Sequence, residues 1–391
     1  MNGRRVVVTG MGMVASCGVG PAAFWEGLLA EPPPGERRLT TFDPSPWLGP
    51  KEARRTDRFA QFAVAAAAMA LEDAGELHAD PDRCGVIIGS GVGGLETLEK
   101  QIVICHTKGP GRVSPFLVPM MMANAGAANV SMRFGWRGPC ETPVTACAAG
   151  THAIANAARM VASGVIDAAL TGGSEAAMTP AGIAGFTNMT ALSDSGVSRP
   201  FDVARDGFVI AEGGAVLVIE ALDAARERGA RIYGEILGSA STADAHHVTA
   251  PDPDGGGAVR CMDLALADAG VTPGEIRQIN GHGTSTPLND IAEARAIGKV
   301  FGTPGPPVTS TKGVTGHALG AAGALEAAAV LLSIDRCLIP PTAGLTTLDP
   351  EMAIDVVVGG PRAWEPGPTL SNSFGFGGHN GCLVLAPLTS R

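Results

Sequence analysis

An α/β fold in stacked layers is what this sequence predicts, and three observations carry the expectation. Short β-branched runs alternate with glycine turns and alanine-rich helical stretches along the chain. Two helical stretches far apart open in the same way, with a small-residue turn around Cys147 and another around His317. Composition is the third: 45% hydrophobic and 17% charged residues are ordinary for a globular body, while 54 glycines and only 4% aromatics suit backbones that approach closely. A chain of 391 residues is long enough for two or three average domains or one large double-lobed core.

In chain order, the first strand is expected at 6–9, where Val-Val-Val-Thr precedes Gly10. Arg4-Arg5, this apolar run and Ala15-Ser16-Cys17 also have the outline of a lipoprotein signal, but Gly10 and Gly12 interrupt the stretch and favour a core strand and turn. No run approaches the ~18 apolar residues of a membrane span. Further strands are expected at 85–88, 168–171 and 215–219, and again at 231–237, 276–279, 369–371 and 381–385. The repeated rhythm suggests an internal duplication. Between them lies Val113-Ser-Pro-Phe-Leu-Val-Pro-Met-Met-Met-Ala123, apolar and broken by two prolines. Core packing is its ordinary reading, and consecutive methionines also suit an adaptable apolar surface.

The formal net charge of −10 argues against a nucleic-acid partner, which would need a surplus of Lys and Arg. Eight scattered cysteines form no C-x-x-C pair and no Cys/His cluster with zinc spacing, so no metal is expected and a reducing cytoplasm is.

Chemistry concentrates at three places. In Thr142-Pro-Val-Thr-Ala-Cys-Ala-Ala-Gly-Thr-His152 a β-branched run turns abruptly into a helix, which puts Cys147 at a helix N-terminus. There the macrodipole and free N–H groups favour a thiolate over a thiol of ordinary pKa near ~8.5. Small neighbours leave room for an acyl group and for amides facing an oxyanion. Asn280-Gly-His-Gly-Thr-Ser-Thr-Pro-Leu-Asn-Asp290 holds His282 among small residues. Ser310-Thr-Lys-Gly-Val-Thr-Gly-His-Ala-Leu-Gly-Ala-Ala-Gly-Ala-Leu-Glu326 places His317 at the start of a second alanine-rich helix, with Lys312 before it. A lone cysteine is usually a small buried hydrophobe and a lone histidine usually structural; glycines flanking both histidines point instead to close ligand approach.

Together with Ser371-Asn-Ser-Phe-Gly-Phe-Gly-Gly-His-Asn-Gly381, these segments resemble the β-ketoacyl-acyl carrier protein synthases, in the elongating Cys-His-His branch of the thiolase superfamily. Gly89-Ser-Gly-Val-Gly-Gly94, Thr171-Gly-Gly-Ser-Glu175, Arg199-Pro-Phe-Asp and Arg205-Asp-Gly-Phe208 extend the likeness from Arg5 to Leu385. The resemblance implies a thiolase-like fold, two duplicated halves in an α/β/α/β/α arrangement. The halves are expected at 1–225 and 226–391, meeting near Asp223-Ala-Ala-Arg-Glu-Arg-Gly229, which reads equally well as a solvated helix end.

The activity implied is decarboxylative Claisen condensation of an acyl chain held on Cys147 with a malonyl unit on acyl carrier protein, without a cofactor. His282 and His317 would stabilise the enolate. Lys312 would position neighbours with Glu326 as its partner, the alternative being an ordinary exposed pair. Cys147 and Phe376 would offer oxyanion amides, Phe376 and Phe374 would stand at a gate, and Val92 and Leu117 would line the acyl pocket, Leu117 lent by a neighbouring subunit. Lys51, Arg54, Arg55 and Arg112 fall on carrier-docking positions. A homodimer, or a heterodimer with a chain-length-determining homologue, is implied through the region of 109–130.

The chain departs from the fatty-acid pattern in three ways: Thr190 stands where arginine is usual, the loop after Leu192 is about five residues shorter, and His379 replaces a frequent threonine. The first two lean the pathway towards a type II polyketide ketosynthase, with housekeeping fatty-acid elongation as the alternative. A silent partner subunit would lack Cys147. A degradative thiolase would use a second cysteine near the C-terminus, where Cys382 lies in what reads as a buried strand.

Overall fold

The computed structural model describes residues 3–32 and 34–389. The principal sheet is built from β1 (Val6–Ala15), β2 (Gly18–Val19), β3 (Cys84–Gly89), β4 (Cys140–Glu141), β5 (Ala168–Glu175), β6 (Gly213–Ala221), β7 (Gly234–Ala243), β8 (Gln278–Asn280) and β9 (Val308–Thr309). After the small ribbon of β10 (Leu338–Ile339) and β11 (Arg362–Ala363), β12 (Thr369–Gly375) and β13 (His379–Ala386) complete it. Every expected strand overlaps an observed one, though β7 starts three residues later than 231 and β8 two residues later than 276.

The strand order is β4-β3-β5-β6-β1-β7-β13-β12-β8-β9, with β2 folded back on β1. Outward from the centre, β1 is followed by antiparallel β6 and β5 and then parallel β3 and β4. On the other side β7 is followed by antiparallel β13 and β12 and then parallel β8 and β9. Each half therefore repeats one topology, as duplication requires. Among the described residues, the two leaves are joined into one sheet by the short pairing of Val7 with Glu235 and Val8 with Gly234.

Layering follows from burial of both faces. Along β6, Ala215, Leu217 and Ile219 face the core that contains the helices Ala149–Ala162 and Ala322–Arg336, while Val216 and Val218 face the core under the helix Arg58–Ala74. The first two helices lie between the leaves and touch both. Their small residues are a packing requirement: a Cβ on Gly150 would sit 2.9 Å from the amide of Ala324, and one on Gly323 would sit 2.9 Å from that of Thr151. The helices Gly256–Ala269 and Pro287–Phe301 cover the outer face of the second leaf. The result is five layers, α/β/α/β/α.

The stretch once resembling a signal is β1, buried throughout at the sheet centre. Among the described residues no helix is long and apolar enough to cross a membrane.

Candidate active site

Each chemical residue sits where one of the two central helices begins or where a strand of the second leaf ends. Cys147 occupies the middle of a 3-10 turn, Ala146–Ala148, that leads into the helix Ala149–Ala162. Ala146, the residue before Cys147, has φ +48, a left-handed backbone that a non-glycine residue rarely adopts. The other half repeats the device: Leu319 has φ +46 in the 3-10 turn Leu319–Ala321, which leads into Ala322–Arg336. His317 thus precedes its helix by a full turn, rather than starting it. Its backbone is pinned by N–H donation to Val209 at 2.8 Å and by acceptance from Ala211 at 3.0 Å.

His282 follows β8, in a loop that runs into the helix Pro287–Phe301. Glu293 on that helix accepts the amides of His282 and Gly283, both at 2.7 Å. Lys312 opens the short helix Lys312–Thr315. Its Nζ donates to the Glu326 carboxylate, to the His282 carbonyl and, at 3.2 Å, to His282 Nδ1. An ammonium only donates, so Nδ1 accepts and the His282 proton resides on Nε2. The Lys312 and Glu326 side chains are 1% and 2% exposed, which excludes an ordinary surface pair.

These groups converge. Sulfur and imidazole nitrogens of Cys147, His282 and His317 lie within 4.8 Å of one another, all buried, with His317 Nε2 3.0 Å from Cys147 Sγ. The two imidazoles meet edge to face at 5.4 Å, and the ring of Phe208 abuts His317 at 5.1 Å. They line a cavity of about 320 Å³ with Phe374, Phe376 and Leu319, bordered by Met189, Thr190, Thr249, Thr284, Thr286 and Leu288.

Burial sets the electrostatics, and here the expectation of a resting thiolate is corrected. Desolvation pushes the Cys147 thiol up to about 11, outweighing Lys312 and the Phe376 and Cys147 N–H groups, which pull it down. Burial also drives His282 and His317 well below the usual imidazole range, with Lys312 adding to the effect. The resting site is a neutral thiol between neutral imidazoles. Burial raises Glu326 and Glu293 to about 7.

Residues 36–225 match the family described as Beta-ketoacyl synthase, N-terminal domain, and residues 233–346 match Beta-ketoacyl synthase, C-terminal domain. The chain belongs to the β-ketoacyl synthases. This synthase is 46% identical to the 3-oxoacyl-[acyl-carrier-protein] synthase 2 of Synechocystis sp., over 98% of each chain. Among solved structures it is similar to the ishigamide ketosynthase/chain length factor, with a TM-score of 0.94 and 34% identity over 99% of this chain and 100% of that one. It is also similar to a type II polyketide acyl-carrier protein in complex with its ketosynthase, with a TM-score of 0.90 and 32% identity over 99% and 100%.

The remaining expected residues of the synthase are dispersed. Phe376 lines the cavity and presents its amide to the sulfur; Phe374 stands beside His282 at 6.1 Å. The flexible backbone of their loop is at Gly377 and Gly378, with φ +82 and +71, whereas Gly375 is not left-handed. Val92 is 46% exposed and Leu117 half-buried at the start of the helix Leu117–Met121, and neither lines the cavity formed by this single chain. Lys51, Arg54, Arg55 and Arg112 are exposed, with the Arg55 guanidinium 4.4 Å over the Phe116 ring. Thr190 borders the cavity at φ +54, and the shortened loop is held by Ser193 and Ser195 on Asp206. His379 is half-buried at the start of β13, outside the cavity lining. Cys382 is fully buried in β13, donates to Asn372 Oδ1 at 3.2 Å and does not line the cavity, so it offers no second thiolase cysteine.

Sequence reading assigned no role to Glu293, Glu175 or Phe208, although the motifs containing Glu175 and Phe208 were recognised. The signal for Glu293 was an acid shortly after the His282 loop on a helix whose other residues read as ordinary.

Proposed function

We propose that this condensing acyltransferase joins an acyl chain carried on Cys147 to a malonyl unit on an acyl carrier protein, releasing CO2 and a β-ketoacyl-carrier product. The observation that carries the reading is the buried contact of 3.0 Å between Cys147 Sγ and His317 Nε2 beside a His282 whose Nε2–H faces the same cavity. In the first half-reaction the sulfur attacks the carrier-bound thioester while its proton passes to His317 and on to the leaving carrier thiol. The amides of Cys147 and Phe376 stabilise the oxyanion. With the sulfur acylated, His282 presents Nε2–H towards the malonyl thioester oxygen, and His317 does the same once its proton has moved to the Nε2 tautomer. They stabilise the enolate left when the C–C bond to the carboxylate breaks, and its carbanion attacks the acyl-cysteine and expels a thiolate, which takes up one proton from solvent to restore the resting thiol. Lys312, paired with Glu326, keeps His282 in the donating tautomer.

The carrier partner is supported by the name of the 46% identical synthase and by the solved carrier–ketosynthase complex. Lys51, Arg54, Arg55 and Arg112 are the proposed docking cations on a chain of net charge −10. A paired assembly is supported by exposed Val92, Val118, Met122 and Val144 around the sheet edge at β4. Through that contact a second copy or a homologous chain would close the acyl pocket at Val92 and Leu117. The proposed halves are 1–225 and 226–391. A cytoplasmic setting is supported by eight cysteines without a disulfide.

Fatty-acid and polyketide elongation both fit this site. The purified protein, mixed with acyl-carrier and malonyl-carrier, tests the reading by mass analysis of the carrier. A β-ketoacyl product from the protein alone supports homodimeric elongation, and a product only after adding a cysteine-less homologue supports the polyketide pair. No product in either arm, with no acyl adduct on Cys147, sinks the reading.

A further inference from the structure

β5 ends in Glu175, a carboxylate with no exposed surface whose described partners are all N–H or O–H groups. Its Oε1 accepts from Ser90 Oγ at 3.2 Å, and its Oε2 accepts the amides of Gly91 at 2.6 Å and Gly320 at 3.2 Å. These donors come from two segments remote in sequence: the loop after β3, which carries Val92, and the turn Leu319–Ala321. The junction has no spare room, since a Cβ on Gly91 would lie 2.6 Å from Oε2 and one on Gly320 2.3 Å from the Gly91 amide. Such a ring of amides around a buried anion is a nest, and here the anion belongs to the protein.

The position of this nest gives it consequence. Glu175 is close enough to Cys147 for its charge to raise the thiol pKa. Just beyond it Ala177, Met178 and Leu319 pack with Cys147 and Leu95 in one apolar cluster. By contrast His317 is pinned independently, through Val209 and Ala211. Loss of the nest would thus shift the walls beside the nucleophile and leave the imidazole pair in place.

We propose that Glu175 is a positioning residue that clamps the 90–92 loop to the Leu319–Ala321 turn and so fixes the depth of the acyl pocket beside Cys147. The proposal rests on the reading of Cys147 as the acyl acceptor. Burial raises the Glu175 carboxyl to about 7, so the clamp does not depend on a full charge. A glutamine can reproduce it, its oxygen accepting from both glycines and its amide donating to Ser90, whereas an aspartate is one methylene too short to reach them.

The test measures Cys147 acylation, by intact mass over time, with short and long straight-chain acyl-pantetheine thioesters, and separately CO2 release from malonyl-pantetheine. In Glu175→Asp the long-to-short ratio of acylation rates is expected to change by about fivefold or more while CO2 release stays within about twofold, and Glu175→Gln is expected to bring the ratio back towards wild type. Should Glu175→Asp fail to fold, Ser90→Ala removes the Oε1 contact together with the acceptor of the Gly93 amide in the same loop, and is expected to move the ratio in the same direction by about twofold. An unchanged ratio, or acylation and CO2 release falling in proportion, overturns the clamp while wild-type acylation stands. A wild type that accepts no primer overturns the acyl-acceptor reading itself, and the clamp with it.

Discussion

His317 Nε2 lies 3.0 Å from Cys147 Sγ, in a contact between two neutral groups. Burial pushes the thiol up to about 11 and the imidazole well below its usual range, so an ion pair is disfavoured from both sides. Lys312, the Phe376 amide and the helix start all favour the thiolate, and desolvation exceeds them. A nucleophile kept neutral until the thioester arrives is protected from adventitious electrophiles, and His317 is placed to take the proton only as the new S–C bond forms.

Alkylation kinetics test this protonation state. With a thiol pKa near 11, the thiolate fraction at neutral pH is about one in ten thousand, and it rises about tenfold per pH unit. The rate of iodoacetamide labelling of Cys147 is expected to climb from pH 7 to pH 9 with no plateau. A plateau near neutrality would show an ion pair and a mechanism with a resting thiolate.

Removing the sulfur should separate the two half-reactions. Cys147→Ala is expected to abolish acylation and to retain malonyl decarboxylation, because His282 and His317 reach the cavity through their own segments. Intact mass and CO2 release read the two halves. An acyl adduct on the alanine variant would refute the assignment of the nucleophile.

Lys312 and Glu326 should fail differently. Glu326→Ala strands a buried ammonium and is expected to lose about 3–5 kcal/mol of stability in chemical denaturation. Lys312→Met removes the donor to His282 Nδ1, and is expected to lower decarboxylation about tenfold or more by freeing the tautomer, while Cys147 labelling slows because a cation favouring the thiolate is gone. Decarboxylation at the wild-type rate in Lys312→Met would remove Lys312 from the tautomer argument.

How far these features were readable varied with the residue. Cys147, His282 and His317 stood out because glycines flank both histidines and because the three motifs together resemble one family, although each residue alone has an ordinary structural reading. The strand kernels were visible because β-branched residues mark them, but their ends were not. β1 continues through Gly10 and Gly12 to Ala15 because the helix Arg58–Ala74 packs directly on those glycines, leaving a Cβ on Gly12 only 2.1 Å from the Ala66 carbonyl. Tertiary contact, rather than local preference, decides such boundaries. The helix position of Cys147 suggested a thiolate, and only three-dimensional burial could reverse that sign. Glu175 and Glu293 were the least legible, since an acid in a sequence reads as surface until amides are seen to surround it.

Glu293 offers the last test, through the pH dependence of stability. Its folded pKa of about 7 lies above the unfolded value near ~4.3, so its contribution is fully present below the unfolded pKa and is lost as pH rises through the folded one. Buried His152, His282 and His317 have folded values below the ordinary ~6.5, so they act oppositely, and stability is gained as pH rises towards that value. Glu175 and Glu326, raised by burial to about 7 like Glu293, act in the same direction as Glu293, so three acids oppose the three histidines between pH 5 and 6.5. Glu293→Gln removes one acid from the balance and weakens the hold on the His282 loop, so the variant should be less stable overall. Its deficit relative to wild type is expected to shrink as pH rises, by up to about 1.4 kcal/mol per unit. Denaturant unfolding of both proteins across that range reads the difference directly. A deficit independent of pH would mean that Glu293 is already ionised throughout, with the His282 and Gly283 amides outweighing its burial.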